Sequence, residues 1–133
     1  MYTASVETGF RAVHSVRMPD GTLETPHVHD WHVRAHFAGP VLDAHDMVVD
    51  FCAALSALES AAAELAGRDL NALSQFAGHS PTAERVARLI FDRLQSLGWS
   101  RLRRVEVCEA PGCVAAYEPC GASAFFDDES AEA

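Results

Sequence analysis

Two kinds of hydrophobic pattern divide this chain into strand-like and helix-like stretches. Apolar and polar side chains alternate from about His27 to Phe37, which is typical of a β-strand with one buried face. A mixture of β-branched and aromatic residues predicts an earlier strand within residues 4–17, and Pro19-Asp20-Gly21 predicts the turn after it. Two further strands are predicted near the other end, from Leu102 to Glu109 and from Val114 to Tyr117.

Between these pairs of strands the apolar residues recur at spacings of three and four, which predicts two amphipathic helices. The first helix is expected to begin after a cap at Asp50 and to end near Gly67, with its inward face formed by Phe51, Leu55, Leu58, Ala62 and Leu65. The second is expected to have Ser80 as its cap and Pro81 as its first residue, with an inward face of Ala83, Val86, Ile90, Leu94 and Leu97. Residues 69–73 are expected to form a loop.

Length and charge narrow the class of protein. The 133 residues fit a single domain, expected to span residues 1–120, followed by an acidic tail at residues 121–133. The formal charge of -9, with arginine as the only basic residue besides histidine, argues against nucleic acid or an anionic membrane as a partner. No apolar run approaches the ~20 residues of a membrane span, and no signal peptide is recognisable. We therefore expect a cytoplasmic protein whose four cysteines are reduced.

Histidines are the most informative polar residues. His27 and His29 are two apart in a predicted strand, so both project to the face that Trp31 and Val33 continue. The preceding strand supplies a third histidine, His14. Imidazoles at the end of an apolar face need a polar partner, and a metal ion held by all three rings is one such partner. Ordinary hydrogen bonding is the alternative. His32 and His36 fall on the opposite face of the same strand and are expected to be structural or exposed. The same is expected of His45.

Six short motifs in order resemble the 6-pyruvoyltetrahydropterin synthase / 6-carboxytetrahydropterin synthase family. They are Phe10-x-x-x-His14, His27-x-His29, Met47-Val48-Val49-Asp50-Phe51, Leu70-Asn71, Pro81-Thr82-Ala83-Glu84 and Glu109-Ala110-Pro111-Gly112. The resemblance implies the tunnelling fold, an α+β ββααββ arrangement in which two helices cover one face of a four-stranded antiparallel sheet. It also implies a homo-oligomer, a trimer or hexamer, in which the sheets close into a barrel and the sites lie between subunits.

The same resemblance implies a zinc-dependent enzyme acting on a reduced pterin. His14, His27 and His29 correspond to the three Zn²⁺ ligands, which leave one coordination position open for the substrate side chain. Glu109 corresponds to a carboxylate that accepts hydrogen bonds from the amino group and ring N–H of the pterin. The alternative for Glu109 is a structural carboxylate satisfied by an arginine or by backbone amides.

Two residues that the family ordinarily uses are absent. Residues 21–26, before the paired histidines, contain no cysteine, and Gly67 occupies the position of a histidine that normally follows an aspartate. Glu24 instead resembles a variant subgroup in which a glutamate replaces the cysteine and 7,8-dihydroneopterin is cleaved to 6-hydroxymethyl-7,8-dihydropterin and glycolaldehyde. A solvent-exposed loop carboxylate is the alternative for Glu24. Asp69 and His79 are weaker candidates to replace the missing aspartate–histidine pair.

Three functions are compatible with these motifs. The leading hypothesis is a zinc-dependent, lyase-type enzyme in which Glu24 moves protons during cleavage of the pterin side chain. The second is a 6-carboxytetrahydropterin synthase of queuosine biosynthesis acting on dihydroneopterin triphosphate. The third is a pterin- or purine-binding homologue that has lost turnover, which the two missing residues favour and Glu24 opposes.

Overall fold

A four-stranded antiparallel sheet forms the framework of the protein in a computed structural model, which describes residues 1–121. Its strands follow one another in sequence order: β1 Tyr2–His14, β2 His27–Gly39, β3 Leu102–Ala110 and β4 Cys113–Tyr117. Two helices, α1 Phe51–Ala63 and α2 Ala83–Ser96, lie between β2 and β3 in the chain. The predicted ββααββ order and α+β class are confirmed. The predicted acidic tail lies outside the described residues, apart from Gly121.

The core lies between the sheet and the helices. The alternation predicted for β2 is confirmed, because four inward side chains there are at most 2 % exposed: Trp31, Val33, Ala35 and Phe37. The helices contribute their own buried faces to the same cluster, including Leu58 of α1 and Ile90 of α2. Burying such side chains gives roughly 1.5–3 kcal/mol each relative to exposure, so this layer holds the helices on one face of the sheet. Within the described residues, no helix is long and apolar enough to cross a membrane.

The first strand is shifted relative to its prediction. It runs from Tyr2 to His14 and pairs with β2 from Tyr2 opposite Gly39 to His14 opposite His27. The prediction had extended it to residue 17. Because β2 begins only at His27, residues 15–17 have no partner in the ladder, and their amides are satisfied by side chains instead.

Two predicted core positions at the helix ends are wrong. Phe51 is 56 % exposed because it is the first residue of α1, one turn before the first buried position, Ala54. Leu97 is 53 % exposed because it is the C-cap of α2 rather than part of the helix. Asp50 caps α1 as predicted, since its side chain accepts hydrogen bonds from two backbone amides of the first turn.

The start of α2 also differs from its prediction. Thr82 is the cap, and its hydroxyl accepts a hydrogen bond from the amide of Arg85. Ser80 is not the cap, because its hydroxyl accepts a hydrogen bond from the amide of Arg17. Pro81 precedes the helix, and its carbonyl accepts a hydrogen bond from His14. Long-range contacts therefore decide the local structure here.

The segment between the helices is more ordered than the predicted loop. It contains two single-turn 3₁₀ helices, Leu70–Ala72 and Ser74–Phe76. Leu70 is fully buried, and Val13 forms an isolated parallel bridge with Asp69. This segment therefore lies beside the end of β1, next to His14.

Candidate functional site

Three histidines meet where β1 ends and β2 begins. His14 lies directly opposite His27 in the ladder. His29 lies opposite Ala12, two residues further along β2 and therefore on the same face. The ring centroids are 4.4–5.3 Å apart, and one ligand nitrogen from each ring lies within 4.8 Å of the others. The three histidines predicted from the sequence therefore lie together, in a group suited to sharing one metal ion.

Backbone carbonyls fix the orientation of two of these rings. His14 Nδ1 lies 2.8 Å from the carbonyl oxygen of Pro81, and His27 Nδ1 lies 3.0 Å from that of Thr25. A carbonyl oxygen only accepts, so each Nδ1 carries a proton, and Nε2 is the nitrogen left to face the cluster. Metal-binding histidines in proteins have the same outer hydrogen bonds, which hold the ring and select the tautomer.

The surroundings bury one ring of the cluster and favour the neutral form of another. His14 is 1 % exposed and contacts the edge of Trp31. Burial lowers the pKa of His29 below its ordinary value, and the neighbouring His27 lowers it further, against the opposing effect of Glu109. A neutral imidazole offers a free lone pair, whereas a protonated one does not.

Glu109 brings a carboxylate to the same cluster. It is the extra residue where the pairing of β3 with β4 shifts between Cys108 and Ala110, a bulge that redirects its side chain. Its Oε2 lies 3.3 Å from His14 Nε2, but within the described residues this buried oxygen has no hydrogen-bond partner.

This contact tests whether the site fits a metal ion. The Oε2 atom of Glu109 faces the His14 ring and is buried without a hydrogen-bond partner among the described residues. Buried polar atoms without partners are rare in folded proteins. A divalent cation held by the three imidazoles would place a positive charge beside this carboxylate, so the residues present fit a metal ion.

Glu24 is held at the edge of the cluster rather than free in solvent. Its side chain is 30 % exposed, and Oε1 accepts a hydrogen bond of 2.9 Å from the amide of Val16. The same oxygen lies 3.7 Å from His27 Nε2. Glu24 thus lies next to His27 at the edge of the cluster. Its second carboxylate oxygen has no hydrogen-bond partner among the described contacts.

An open cleft borders the cluster. It has a volume of about 430 Å³ and is lined by Val28, His29, Asp30 and residues 108–111. Small-molecule pockets are typically about 300–1,000 Å³, so the space suits a bicyclic ring. His29 and Glu109 both line it, which connects the candidate metal ligands to a volume that a substrate can occupy.

Other predicted polar residues lie elsewhere. Within residues 1–121, neither Asp69 nor His79 belongs to the histidine cluster. Asp69 instead accepts a hydrogen bond from the amide of Asn71, and His79 lines a separate cleft beside α2. His32 and His36 project from the opposite face of the sheet, as predicted, and all four cysteines are free thiols.

Three supporting residues were not predicted. The carbonyl of Pro81 and the side chains of Asn71 and Ser80 all bond to residues 14–17. Asn71 and Pro81 belong to the six sequence motifs, but no local pattern connects them with His14. The contacts span 56 to 67 positions, so only the folded chain reveals them.

The sheet, its helix layer and the histidine cluster define the class of the molecule, a tunnelling-fold protein with a candidate metal centre. The sequence model described as 6-pyruvoyl tetrahydropterin synthase matches residues 3–120, and the chain belongs to this family of pterin-processing enzymes. No curated protein sequence matches the chain.

Solved structures of 6-pyruvoyl tetrahydropterin synthases are similar to this chain in fold. The 6-pyruvoyl tetrahydropterin synthase of Caenorhabditis elegans is 20% identical with a TM-score of 0.77, over 89% of this chain and 95% of that one. The Plasmodium falciparum protein is 18% identical with a TM-score of 0.74, over 89% and 97%. A Plasmodium vivax variant, in which a catalytic glutamate is replaced by alanine, is 13% identical with a TM-score of 0.66, over 90% and 99%.

Proposed function

We propose that this protein is a zinc-dependent enzyme that cleaves the side chain of 7,8-dihydroneopterin. The products would be 6-hydroxymethyl-7,8-dihydropterin and glycolaldehyde. The observation that carries the proposal is the grouping of three imidazoles and two carboxylates at one end of the sheet, beside an open cleft. Family membership supplies the pterin class of the substrate.

His14, His27 and His29 are the proposed ligands of the metal ion. When bound, a divalent ion with three imidazole ligands supplies a Lewis acid with an open position for substrate oxygen. The carbonyls of Pro81 and Thr25 hold two of the rings in the required tautomer before any ion arrives. Trp31 supports His14 from the core side, so the ligands need little rearrangement.

Glu24 is the proposed proton-transfer group. It takes the proton from the hydroxyl on the second side-chain carbon, and the bond between the first and second carbons then breaks. The electron pair is delocalised into the pterin ring, and the first carbon is protonated to give the hydroxymethyl product. The amide of Val16 holds one carboxylate oxygen, which leaves the other to exchange the proton.

Glu109 is proposed to bind the pterin through its amino group and ring N–H. Its place on the cleft wall supports contact with the substrate. Its closeness to His14 also supports a second role, in which it contacts the part of the substrate nearest the metal ion. The two roles predict different kinetic effects of substitution.

Glu24, and not a thiol, is proposed as the catalytic group because residues 21–26, where the family ordinarily has its cysteine, contain none. The Plasmodium vivax variant named above concerns a glutamate described as a catalytic residue of that protein. In this chain Cys108 donates to the carbonyl of Ala110, and the other three cysteines are exposed. The remaining alternatives are formation of 6-carboxytetrahydropterin from dihydroneopterin triphosphate and pterin binding without turnover.

The protein is also proposed to act as a homo-oligomer, a trimer or hexamer. In the described sheet β1 and β4 are edge strands, and closure of several sheets into a barrel would pair these edges. Subunits meeting there would complete the walls of the open cleft.

A product assay separates the three candidate functions. Zinc-loaded protein is incubated with 7,8-dihydroneopterin and, in parallel, with its triphosphate, and the products are identified by mass spectrometry. We expect the hydroxymethyl product and glycolaldehyde from dihydroneopterin. Formation of 6-carboxytetrahydropterin from the triphosphate would establish the second function, and tight binding without either product the third.

A further inference from the structure

Three consecutive backbone amides after His14 donate hydrogen bonds to side chains from three other parts of the chain. The amide of Ser15 donates to Asn71 Oδ1 at 2.8 Å, that of Val16 to Glu24 Oε1 at 2.9 Å, and that of Arg17 to Ser80 Oγ at 3.1 Å. The ladder with β2 ends at His14, so these amides have no strand partner. Side chains therefore take the place of a neighbouring strand where the ligand residue leaves the sheet.

Asn71 makes the strongest of these connections. Besides accepting from the amide of Ser15, its Nδ2 donates to the carbonyl oxygen of Ser15 at 2.9 Å. Both backbone groups of a residue that is 3 % exposed are thus satisfied by one side-chain amide. Burying them without partners would cost about 1–3 kcal/mol each.

The segment that carries Asn71 is itself held in place. The backbone amide of Asn71 donates to Asp69 Oδ1 at 3.1 Å, and the adjacent Leu70 is fully buried. The amide of Val13 donates to the carbonyl of Arg68, which joins the same segment to β1 on the other side of His14. The backbone is therefore tied to this segment on both sides of the histidine.

We propose that Asn71 is a positioning residue for the metal centre, acting on His14 through the backbone of Ser15 and on Glu24 through the amide of Val16. The proposal rests on the metal centre described under the proposed function. Pro81 fixes the rotation of the His14 ring, whereas Asn71 fixes the backbone from which the ring projects. Because Val16 follows Ser15, displacement of that backbone also moves the amide that holds Glu24.

The test measures metal binding rather than turnover. Full-length wild type and Asn71→Ala are titrated with Co²⁺, and the visible absorption gives both affinity and ligand geometry. Loss of a hydrogen bond to a ligating ring typically weakens metal binding about 10–100-fold. Asn71 bonds to the residue after His14 and not to its ring, so we expect a loss near the lower end, about tenfold, with altered band positions. Ser96→Ala is the matched control, since it removes a side-chain-to-backbone hydrogen bond at the far end of α2 and leaves the cobalt spectrum unchanged.

A second variant separates positioning from a general loss of folding. Asn71→Asp keeps the acceptor for the Ser15 amide and removes the donor to its carbonyl, so we expect an intermediate cobalt affinity. This comparison decides the question if Asn71→Ala does not fold. Cobalt binding and spectra equal to wild type in the folded Asn71 variants would overturn this proposal alone. Failure of the wild type to bind cobalt would instead overturn the metal centre, and this proposal with it.

Discussion

The two faces of β2 carry the same residue types in opposite surroundings. On the inner face, His27 and His29 join His14 and Glu109 against the core. On the outer face, two histidines lie beside carboxylates in what we call the outer ladder: Glu7, His32, Arg34, His36, Arg104 and Glu106. The contrast shows which surroundings make a histidine–glutamate pair a candidate metal site.

Arginine makes the difference. Arg34 donates two hydrogen bonds to Glu7, and Arg104 pairs with Glu106, so both outer carboxylates have a cation beside them. The described contacts of Glu109 include no arginine, and its buried Oε2 has no hydrogen-bond partner. A carboxylate that lacks a resident cation can accept an external one, whereas the outer carboxylates are already neutralised.

The largest expected effect concerns the metal ligands. His29→Ala should weaken zinc binding by more than about a hundredfold, the upper limit for loss of an outer partner, because a ligand itself is removed. His32→Ala, three positions along the same strand and on the other face, should leave zinc binding within about twofold of wild type. Competition with a chromogenic chelator measures both constants. Equal losses in the two variants would remove the distinction between the faces.

Substitution of the proposed proton-transfer group is expected to act on turnover and not on metal binding. Glu24→Gln keeps an acceptor for the amide of Val16 but removes the basic carboxylate, so kcat should fall about 10²–10⁴-fold while zinc stays bound. Glu7→Gln makes the same change in the outer ladder and should retain full turnover. Steady-state kinetics with 7,8-dihydroneopterin provides the comparison. Undiminished kcat in Glu24→Gln would eliminate its proposed role.

Glu109→Gln should have an intermediate effect that distinguishes its two possible roles. If Glu109 holds the pterin ring, KM should rise roughly tenfold to a hundredfold with kcat nearly constant, the loss expected for a charged hydrogen bond. A contact near the metal ion would instead lower kcat and weaken zinc binding. We expect the KM effect. No change in KM, kcat or zinc affinity would exclude Glu109 from the site.

The smallest effect is expected in the outer ladder. Arg34 lowers the pKa of Glu7 below its ordinary value of 4.5, mainly by its hydrogen bonds and then by its charge. The ion pair therefore stabilises the fold above pH 4.5, and this contribution disappears as the pH falls through the lowered pKa. Glu7→Gln should reduce Tm slightly at pH 7, and the difference should shrink progressively below pH 4.5. A constant difference in thermal denaturation scans would refute this assignment.

The sequence was most informative where a local period decided the structure. Alternation along β2 placed His27 and His29 on the face of Trp31, and the spacing in α1 predicted Leu58 as buried. Such patterns reflect the geometry of one strand or one helix, so they need no knowledge of distant residues.

Positions settled by long-range contacts could not be predicted in this way. Ser80 had the chemistry of a helix cap, but the amide of Arg17 takes its hydroxyl and Thr82 caps the helix. The bulge at Glu109 and the bonds from Asn71 to Ser15 likewise depend on elements that meet only in the folded chain. The histidines of the candidate site were therefore visible in the sequence, whereas most of the residues that hold them were not.

X-ray absorption at the zinc edge of the loaded protein examines the proposed coordination by three histidines. We expect one bound zinc with imidazole scattering from three histidines and nitrogen or oxygen neighbours at about 2.0–2.1 Å. A sulfur neighbour at about 2.3 Å, or protein that retains no zinc after dialysis, would contradict it.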